Sequence, residues 1–520
     1  MNDNRVRMDL RSSGRGVAAL RRTYQSKTMS VAGRREQRFP GRGFPRRFCG
    51  ICAALILYVA VGVGASAQTL TTLLDFYETI GTSPYGTLVQ GIDGNLYGTT
   101  LFGGTNCPPN GCGTVFKVTP TGVLTTLYNF CSKANCADGS YPEGGVVLGT
   151  DTNLYGTTGV GGANNGGTVF KITPQGTLTI LYSFCAQVNC ADGKGPNTET
   201  LFQAANGDFY GTTSVGGAHS EGTVFKITPQ GKLTTLYSFC AQSGCSDGSL
   251  PIGGVILGTD SNLYGTTLSG GGTSNYGTVF KLSLAGKLTT LHRFQLTDGA
   301  NPAAPLLQGS NGIFYGSTQD GGEFGFICNF GCGTLFEITS TGTFTVLDRF
   351  LYTLGFAPYA GMIQATDGNL YGTTVAADGY GSIYDLSPAG NVNVDYLFSG
   401  APNGEFPYAG LVQASSGIFY GTNIGGTNTA GTAFSFDVGL GPFVAFIRSS
   451  GKVGATAKIL GQGFTGTSSV TFNGVRATSY TVVSDTYLKA QVPSGATTGT
   501  VVVITPTGTL KSNVNFRVTK

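Results

Sequence analysis

The sequence predicts an all-β chain, a seven-bladed β-propeller followed by an immunoglobulin-like β-sandwich. Three observations carry that expectation. Of 520 residues 84 are Gly and only 11% are charged. Thr, Val, Phe and Tyr stand where a helical protein would carry Ala, Glu, Lys and Leu, which is the composition of strands and turns. The segment N-L-Y-G-T-T, with variants, recurs with its tyrosine at Tyr97, Tyr155, Tyr210, Tyr264, Tyr315, Tyr371 and Tyr420, 49 to 58 residues apart. A period near 50 belongs to propellers and arrays. From about Gly441 that repeat gives way to another strand pattern. With 40% apolar residues the chain can fill a core, which argues against disorder.

Three segments are expected: a basic leader with a signal peptide over 1–67, the propeller over 68–440 and the sandwich over 441–520. The leader holds thirteen Arg or Lys against three Asp or Glu, so the rest of the chain is net acidic. That argues against a nucleic-acid partner, which would need a clustered basic face. An Arg-rich stretch ending at Arg46-Arg47, the apolar run Ile51 to Val63 and Ala65-Ser66-Ala67 before Gln68 make a secretory signal peptide. Met29 is an alternative start, an uncleaved membrane anchor is the rival reading, and Arg46-Arg47 hints at twin-arginine export. No transmembrane span is expected in the mature chain.

Each repeat reads as four short strands. In the second unit these are Gly144 to Leu148, Asn153 to Thr158, Gly167 to Thr173 and Thr177 to Phe184, separated by Asp-, Gly- and Pro-containing turns. The fourth strand, L-T-T-L-Y-S-F in its commonest form, ends at Phe130, Phe184, Phe239, Phe294, Phe350 and Phe398; the seventh unit lacks one. A lone copy, Thr69 to Phe76, precedes the first unit. It is expected to complete the last sheet, sealing a ring that leaves no unpaired edge at its seam. The recurring Tyr and Phe, and His292 in a Tyr position, are expected to pack neighbouring sheets together. The sixth unit departs, with Ala376-Ala377-Asp378 for the Gly-Gly loop and Gly-Ser-Ile-Tyr in its third strand, and a distorted blade is expected there.

In such a blade the loop between strands two and three and the loop to the next blade emerge on one face. These loops vary, and all ten cysteines beyond the leader's Cys49 and Cys52 fall in them. The pairs Cys107/Cys112, Cys131/Cys136, Cys185/Cys190, Cys240/Cys245 and Cys328/Cys332 are even in number and closely spaced, which in an exported chain reads as disulfides. Zinc is the alternative; it needs four convergent ligands, which the pairs do not supply in sequence. Variable loops on a repeating scaffold usually carry binding, so this face is the candidate surface. Its candidate residues are Asp138, Asp192, Asp247 and Asp298, each preceding Gly, together with His219 and Glu221. An acidic ring or a Ca²⁺ site is weighed against plain Asp-Gly turns, which are favoured because one carboxylate per loop is far from a calcium cage. His219 beside Glu221 resembles a general base, but no nucleophile accompanies it. No cofactor is expected, and the Gly-Gly pairs lack the context of phosphate loops.

The C-terminal module runs through Ile459 to Phe464, Val470 to Val475 with an Asn473-Gly474 hairpin turn, Leu488 to Pro493, Gly499 to Ile504 and Asn515 to Val518. Its G-x-G-F, V-x-F-x-G, Val-Pro step and closing Gly-x-V-x-V strand resemble the IPT/TIG family of immunoglobulin-like domains. N-L-Y-G-T-T followed by G-T-V-F-K-I-T-P and L-T-T-L-Y-S-F resembles the GloVer tandem-repeat family of exported bacterial proteins. That resemblance implies an extracytoplasmic bacterial protein with a C-terminal surface anchor of variable kind, and supplies no catalytic residues. The functional expectation is a secreted or cell-surface noncatalytic binding or adhesion protein. Its propeller face would meet an extracellular ligand, a glycan or a protein, and its Ig-like module would serve as spacer or docking unit. The alternative is an exported carbohydrate-active hydrolase or lyase using the central opening, with His219 in its site.

Overall fold

A computed structural model describes residues 68–196, 200–325, 328–352, 355–376 and 379–519. The leader, with its signal-peptide reading, Met29, Cys49 and Cys52, lies outside the described residues, as do Ala377 and Asp378 of the sixth unit. Among the described residues the repeats form seven four-stranded antiparallel sheets. The first is built from Val89–Gln90, Leu96–Thr100, Thr114–Val118 and Leu124–Asn129, in chain order across the sheet. The last takes Val412–Gln413, Phe419–Asn423 and Thr432–Asp437, and its outer strand is Thr69–Asp75.

The register at that seam repeats the register elsewhere. Thr69 pairs with Asp437 and Asp75 with Thr432, with one residue, Leu73, bulged out between Thr72 and Leu74. Each of the other fourth strands bulges at the same place, for example Leu236 between Thr235 and Tyr237. A bulge adds twist to the outer strand, so all seven sheets share one curvature.

Ring closure is written in the aromatic side chains. The phenylalanine ending each fourth strand meets the aromatic ring of the next sheet's third strand. The pairs are Phe130 with Phe170, Phe184 with Phe225, Phe239 with Phe280, Phe294 with Phe336, Phe350 with Tyr384 and Phe398 with Phe434, at 5.1 to 5.4 Å between ring centres. Phe76 of the closing strand meets Phe116 of the first sheet at 5.1 Å, the seventh such contact. All are tilted edge to face, the arrangement the ring quadrupoles favour. The glycine of N-L-Y-G-T-T makes room for this ring: a Cβ on Gly98 would stand 2.7 Å from Phe116. The sixth sheet is not distorted in its strands. Ile383 and Tyr384 keep the bulged register, and Tyr384 takes the phenylalanine place fully buried.

The Asp-x-Asn turns between first and second strands are locked by their own side chains. Asp93 accepts from the Asn95 amide and from the Tyr97 hydroxyl at 2.9 Å, and Asp151 and Asp260 do the same for Tyr155 and Tyr264. On the opposite face, inter-sheet loops pair with the loops between strands two and three, as at Ser140 with Val160 and Ser249 with Ser269. The two loop sets therefore share one face.

The C-terminal module is two four-stranded sheets plus a parallel pair, Ser450–Lys452 with Arg517–Thr519. Asn473 and Gly474 both take positive φ, 45° and 84°, in the turn that pairs Phe472 with Val475. Its core holds Ile459, Phe464, Val470, Phe472, Leu488, Val501 and Phe516. The module is not free of the propeller, and the two form one compact unit. Leu460 and Tyr487, 5% and 2% exposed, bury against Leu148, Leu154 and Tyr97. Thr486 donates to the Ile92 carbonyl at 2.8 Å, Ser415 to Gly461 at 3.1 Å, Arg448 to Ala205, and Lys458 to Thr150. These propeller residues lie at turns between first and second strands, so the module sits on the face opposite the cysteines.

Candidate functional site

In six of the seven units the first strand begins after Pro-x-Gly or Pro-x-Ala, close to the ring axis on the cysteine-bearing face; the third unit has Pro196-Asn197-Thr198 in that place. Pro suits this place because its fixed φ starts an extended segment and no ladder hydrogen bond is lost. The residue after Pro varies: Tyr85, Glu143, Ile252, Ala303, Tyr359 and Tyr408 among the described sheets. Tyr85, Tyr408 and Tyr359 come from three consecutive sheets across the seam, and their rings touch in series, 5.0 Å for Tyr85 with Tyr408 and 5.2 Å for Tyr408 with Tyr359. All three are half-buried. Burial, with Tyr408 and the Glu143 carboxylate beside it, pushes the Tyr85 hydroxyl well above the ordinary phenol range.

Beneath these starts lies a cavity of about 220 Å³ bounded by first-strand residues from several sheets, among them Leu88, Val146, Pro305, Met362 and Leu411. It is largely apolar. An apolar recess with aromatic rings and a carboxylate nearby suits a ligand with both apolar and hydroxyl-bearing faces. Sequence reasoning did not single out these tyrosines, because they lie outside the recurring strand patterns. The signal lay in the one position after Pro that does not repeat.

The residues predicted from sequence fall elsewhere. Asp138, Asp192 and Asp247 are fully buried and belong to their own loops, which removes them from the exposed face. Asp138 accepts from the Tyr128 hydroxyl and from the Ser132 and Lys133 amides at 2.8 to 3.1 Å. Burial raises its pKa, but these hydrogen bonds outweigh burial and hold the carboxyl below its ordinary value. Asp192 and Asp247 make the same bonds with Tyr182 and Tyr237. Asp298 is the counterpart in a sheet where His292 replaces the tyrosine, their side chains 3.2 Å apart. His292 stacks flat on Phe344 at 3.7 Å. No common acidic ring forms from these four carboxylates. His219 is exposed, and among the described residues nothing joins it to Glu221, whose carboxyl burial pushes upward.

The ten cysteines form five disulfides, Cys107–Cys112, Cys131–Cys136, Cys185–Cys190, Cys240–Cys245 and Cys328–Cys332. The expectation that the pairs do not converge fails at the first sheet, where four sulfurs from two loops meet. Among the described residues, no helix is long and apolar enough to cross a membrane.

Comparison with known proteins follows this division of the chain. The Gloeobacter/Verrucomicrobia repeat matches over residues 59–199, 185–376 and 328–460, and the IPT/TIG domain over 442–518. Among curated proteins none matches. Among solved structures, similarity extends to a fungal alcohol oxidase of the AA5 family in complex with copper, 13% identical with TM-score 0.44, covering 87% of this chain and 99% of that one. The extracellular domain of a hybrid two-component system from B. thetaiotaomicron is 12% identical with TM-score 0.44, covering 86% of this chain and 57% of that one. A gluconolactonase from Xanthomonas campestris is 11% identical with TM-score 0.34, covering 59% and 86%. At such distances none of these likenesses bears on activity.

Proposed function

The chain belongs to the Gloeobacter/Verrucomicrobia repeat family, and from that premise we propose that it is a noncatalytic extracytoplasmic binding or adhesion protein. The ligand meets the cysteine-bearing face of the propeller at the tyrosine-lined mouth of the central opening. One observation supports this most. The C-terminal module occupies the opposite face, on turns of the first, second, third and seventh sheets, through Thr486, Lys458, Arg448 and the Gly461 carbonyl. The module is then a docking unit fixed to the propeller rather than a loose spacer, and it leaves Tyr85, Tyr359 and Tyr408 accessible. The sugar face of a glycan matches such rings, because its C–H surface packs on aromatic carbon while its hydroxyls reach a group such as Glu143. Disulfides in every one of the five cysteine loops fit an oxidising compartment.

A glycan array and a panel of hydrolase and lyase substrates, both run on the full chain, test this reading. Retention of a glycan that weakens at least tenfold in Tyr408→Ala supports it. Turnover of a substrate without retained ligand overturns it.

A further inference from the structure

We propose that Cys107, Cys112, Cys131 and Cys136 form one four-sulfur centre, which holds two disulfides when oxidised and binds a single Zn²⁺ when reduced. The inference is independent of the ligand reading above. The four Sγ atoms all lie within 4.8 Å of one another, although they come from two loops of different origin. Cys107 and Cys112 lie in the loop between the second and third strands of the first sheet. Cys131 and Cys136 lie in the loop leading to the second sheet. A tetrahedral Zn²⁺ with Zn–S bonds of about 2.3 Å needs sulfurs about 3.8 Å apart. Opening each bonded pair and drawing the two pairs slightly together satisfies that separation. Both pairs have C-x4-C spacing, within the range that structural zinc sites use.

The loops are held in place by bonds that do not involve sulfur. Asn106 donates through its side-chain amide to the Phe130 carbonyl at 2.8 Å and to Asn129 at 3.2 Å, tying the first loop to the strand that feeds the second. The Tyr141 amide donates to the Cys112 carbonyl at 2.9 Å, and the Cys131 amide to Gly139 at 3.0 Å. Asp138 clamps the second loop through Ser132, Lys133 and Tyr128. Breaking the disulfides therefore leaves the four thiols facing one another. Cys112 is 4% exposed and the other three are half-buried, so solvent and a metal ion can reach the cluster from one side.

The rest of the molecule supplies the internal comparison. The second and third sheets keep the same aspartate clamp, at Asp192 and Asp247, and the same Cys pair in the loop that follows. Their loops between strands two and three carry no cysteine. The fifth sheet has Cys328 and Cys332 in that loop but none in the loop that follows. Four sulfurs meet where both loops carry a pair.

The chemistry balances with a dithiol reductant. Each of two dithiols gives two electrons and two protons to one protein disulfide and closes to its own cyclic disulfide, leaving four protein thiols. Zn²⁺ then displaces four protons to solvent as four thiolates bind it. Bound metal lowers thiolate availability, so it also protects the centre from reoxidation.

The test uses full-length chain carrying Cys49→Ser and Cys52→Ser, reduced with a dithiol under native conditions and desalted without oxygen. Titration with Co²⁺, a spectroscopic stand-in for Zn²⁺, is expected to reach one equivalent with intense sulfur-to-metal charge transfer and tetrahedral ligand-field bands. Zn²⁺ is expected to displace it. With Zn²⁺ bound, alkylation mapped by mass spectrometry is expected to spare Cys107, Cys112, Cys131 and Cys136 while modifying the other six thiols. Cys131→Ser is expected to weaken Co²⁺ binding at least tenfold, whereas Cys185→Ser with Cys240→Ser leaves it unchanged. Absence of the charge-transfer bands, or metal protection of any set other than those four cysteines, overturns the proposal. The alkylation map needs no variant at the site, so a misfolded Cys131→Ser chain does not blunt the test.

Discussion

At the scale of single residues, departures from the repeat are more informative than the repeat. Asp395 stands at the bulge of the sixth sheet's fourth strand, where the other sheets carry Leu73, Leu127, Leu181, Leu236, Leu291 and Leu347. Burial pushes its carboxyl up to about 6, helped by the nearby Asp385 and Asp367 and opposed by a hydrogen bond from Gln68. Burial also pushes Asp320 up to about 6. Both values stand above the unfolded value near 3.8, so the folded chain holds these protons more tightly than the unfolded chain. Stability is therefore expected to fall as pH rises from about 4 to about 6 and to level off above that. Asp138 and Asp151, held below their ordinary values, act in the opposite sense and only at lower pH. Melting curves across pH 4 to 7 check this: Asp320→Asn with Asp395→Asn is expected to flatten the decline and raise the melting temperature at pH 7. The inter-sheet rings give a second residue-level expectation. Phe239 is fully buried against Phe280, and Phe239→Ala is expected to cost about 3 to 5 kcal/mol in denaturant unfolding. Phe330, 73% exposed, is the control, expected within about 0.5 kcal/mol of the parent as Phe330→Ala.

Among the elements, the closing strand Thr69–Asp75 matters most, because it joins the two ends of the ring. It pairs with Thr432–Asp437, places Phe76 on Phe116, and sets the Leu73 carbonyl beneath Gly122, as Leu127 lies beneath Gly176 in the next sheet. Gly122 takes a φ of +89° there, and a Cβ would stand 2.3 Å from that carbonyl oxygen. The same turn-on-bulge contact thus recurs at the seam. Deleting 69–76 is expected to lower the melting temperature by several degrees or more. The bared strand should also promote concentration-dependent self-association in sedimentation experiments, since an unpaired edge recruits another.

For the whole molecule, much of the ring was legible in the sequence. N-L-Y-G-T-T, G-T-V-F and the L-T-T-L-Y-S-F ending are local patterns, and each marks a strand because alternation and turn residues act over only a few positions. The orphan Thr69 to Phe76 copy gave away closure for the same reason. The Asp-Gly positions were legible as turns, but not their commitment to Tyr128, Tyr182 and Tyr237, which lie ten residues back along the chain. The expected distortion of the sixth blade did not follow from its altered residues, since Tyr384 fills the same space as phenylalanine. Strand type, sheet membership and the inter-sheet aromatic layer were thus determined by the chain's own short-range periodicity. Three things waited on the tertiary structure: the meeting of Tyr85 with Tyr359 and Tyr408, the convergence of four sulfurs from two loops, and the seat of the C-terminal module on the cysteine-free face. Each joins segments far apart in sequence through the curvature of a closed ring, and no pattern read along the chain encodes a distance across it.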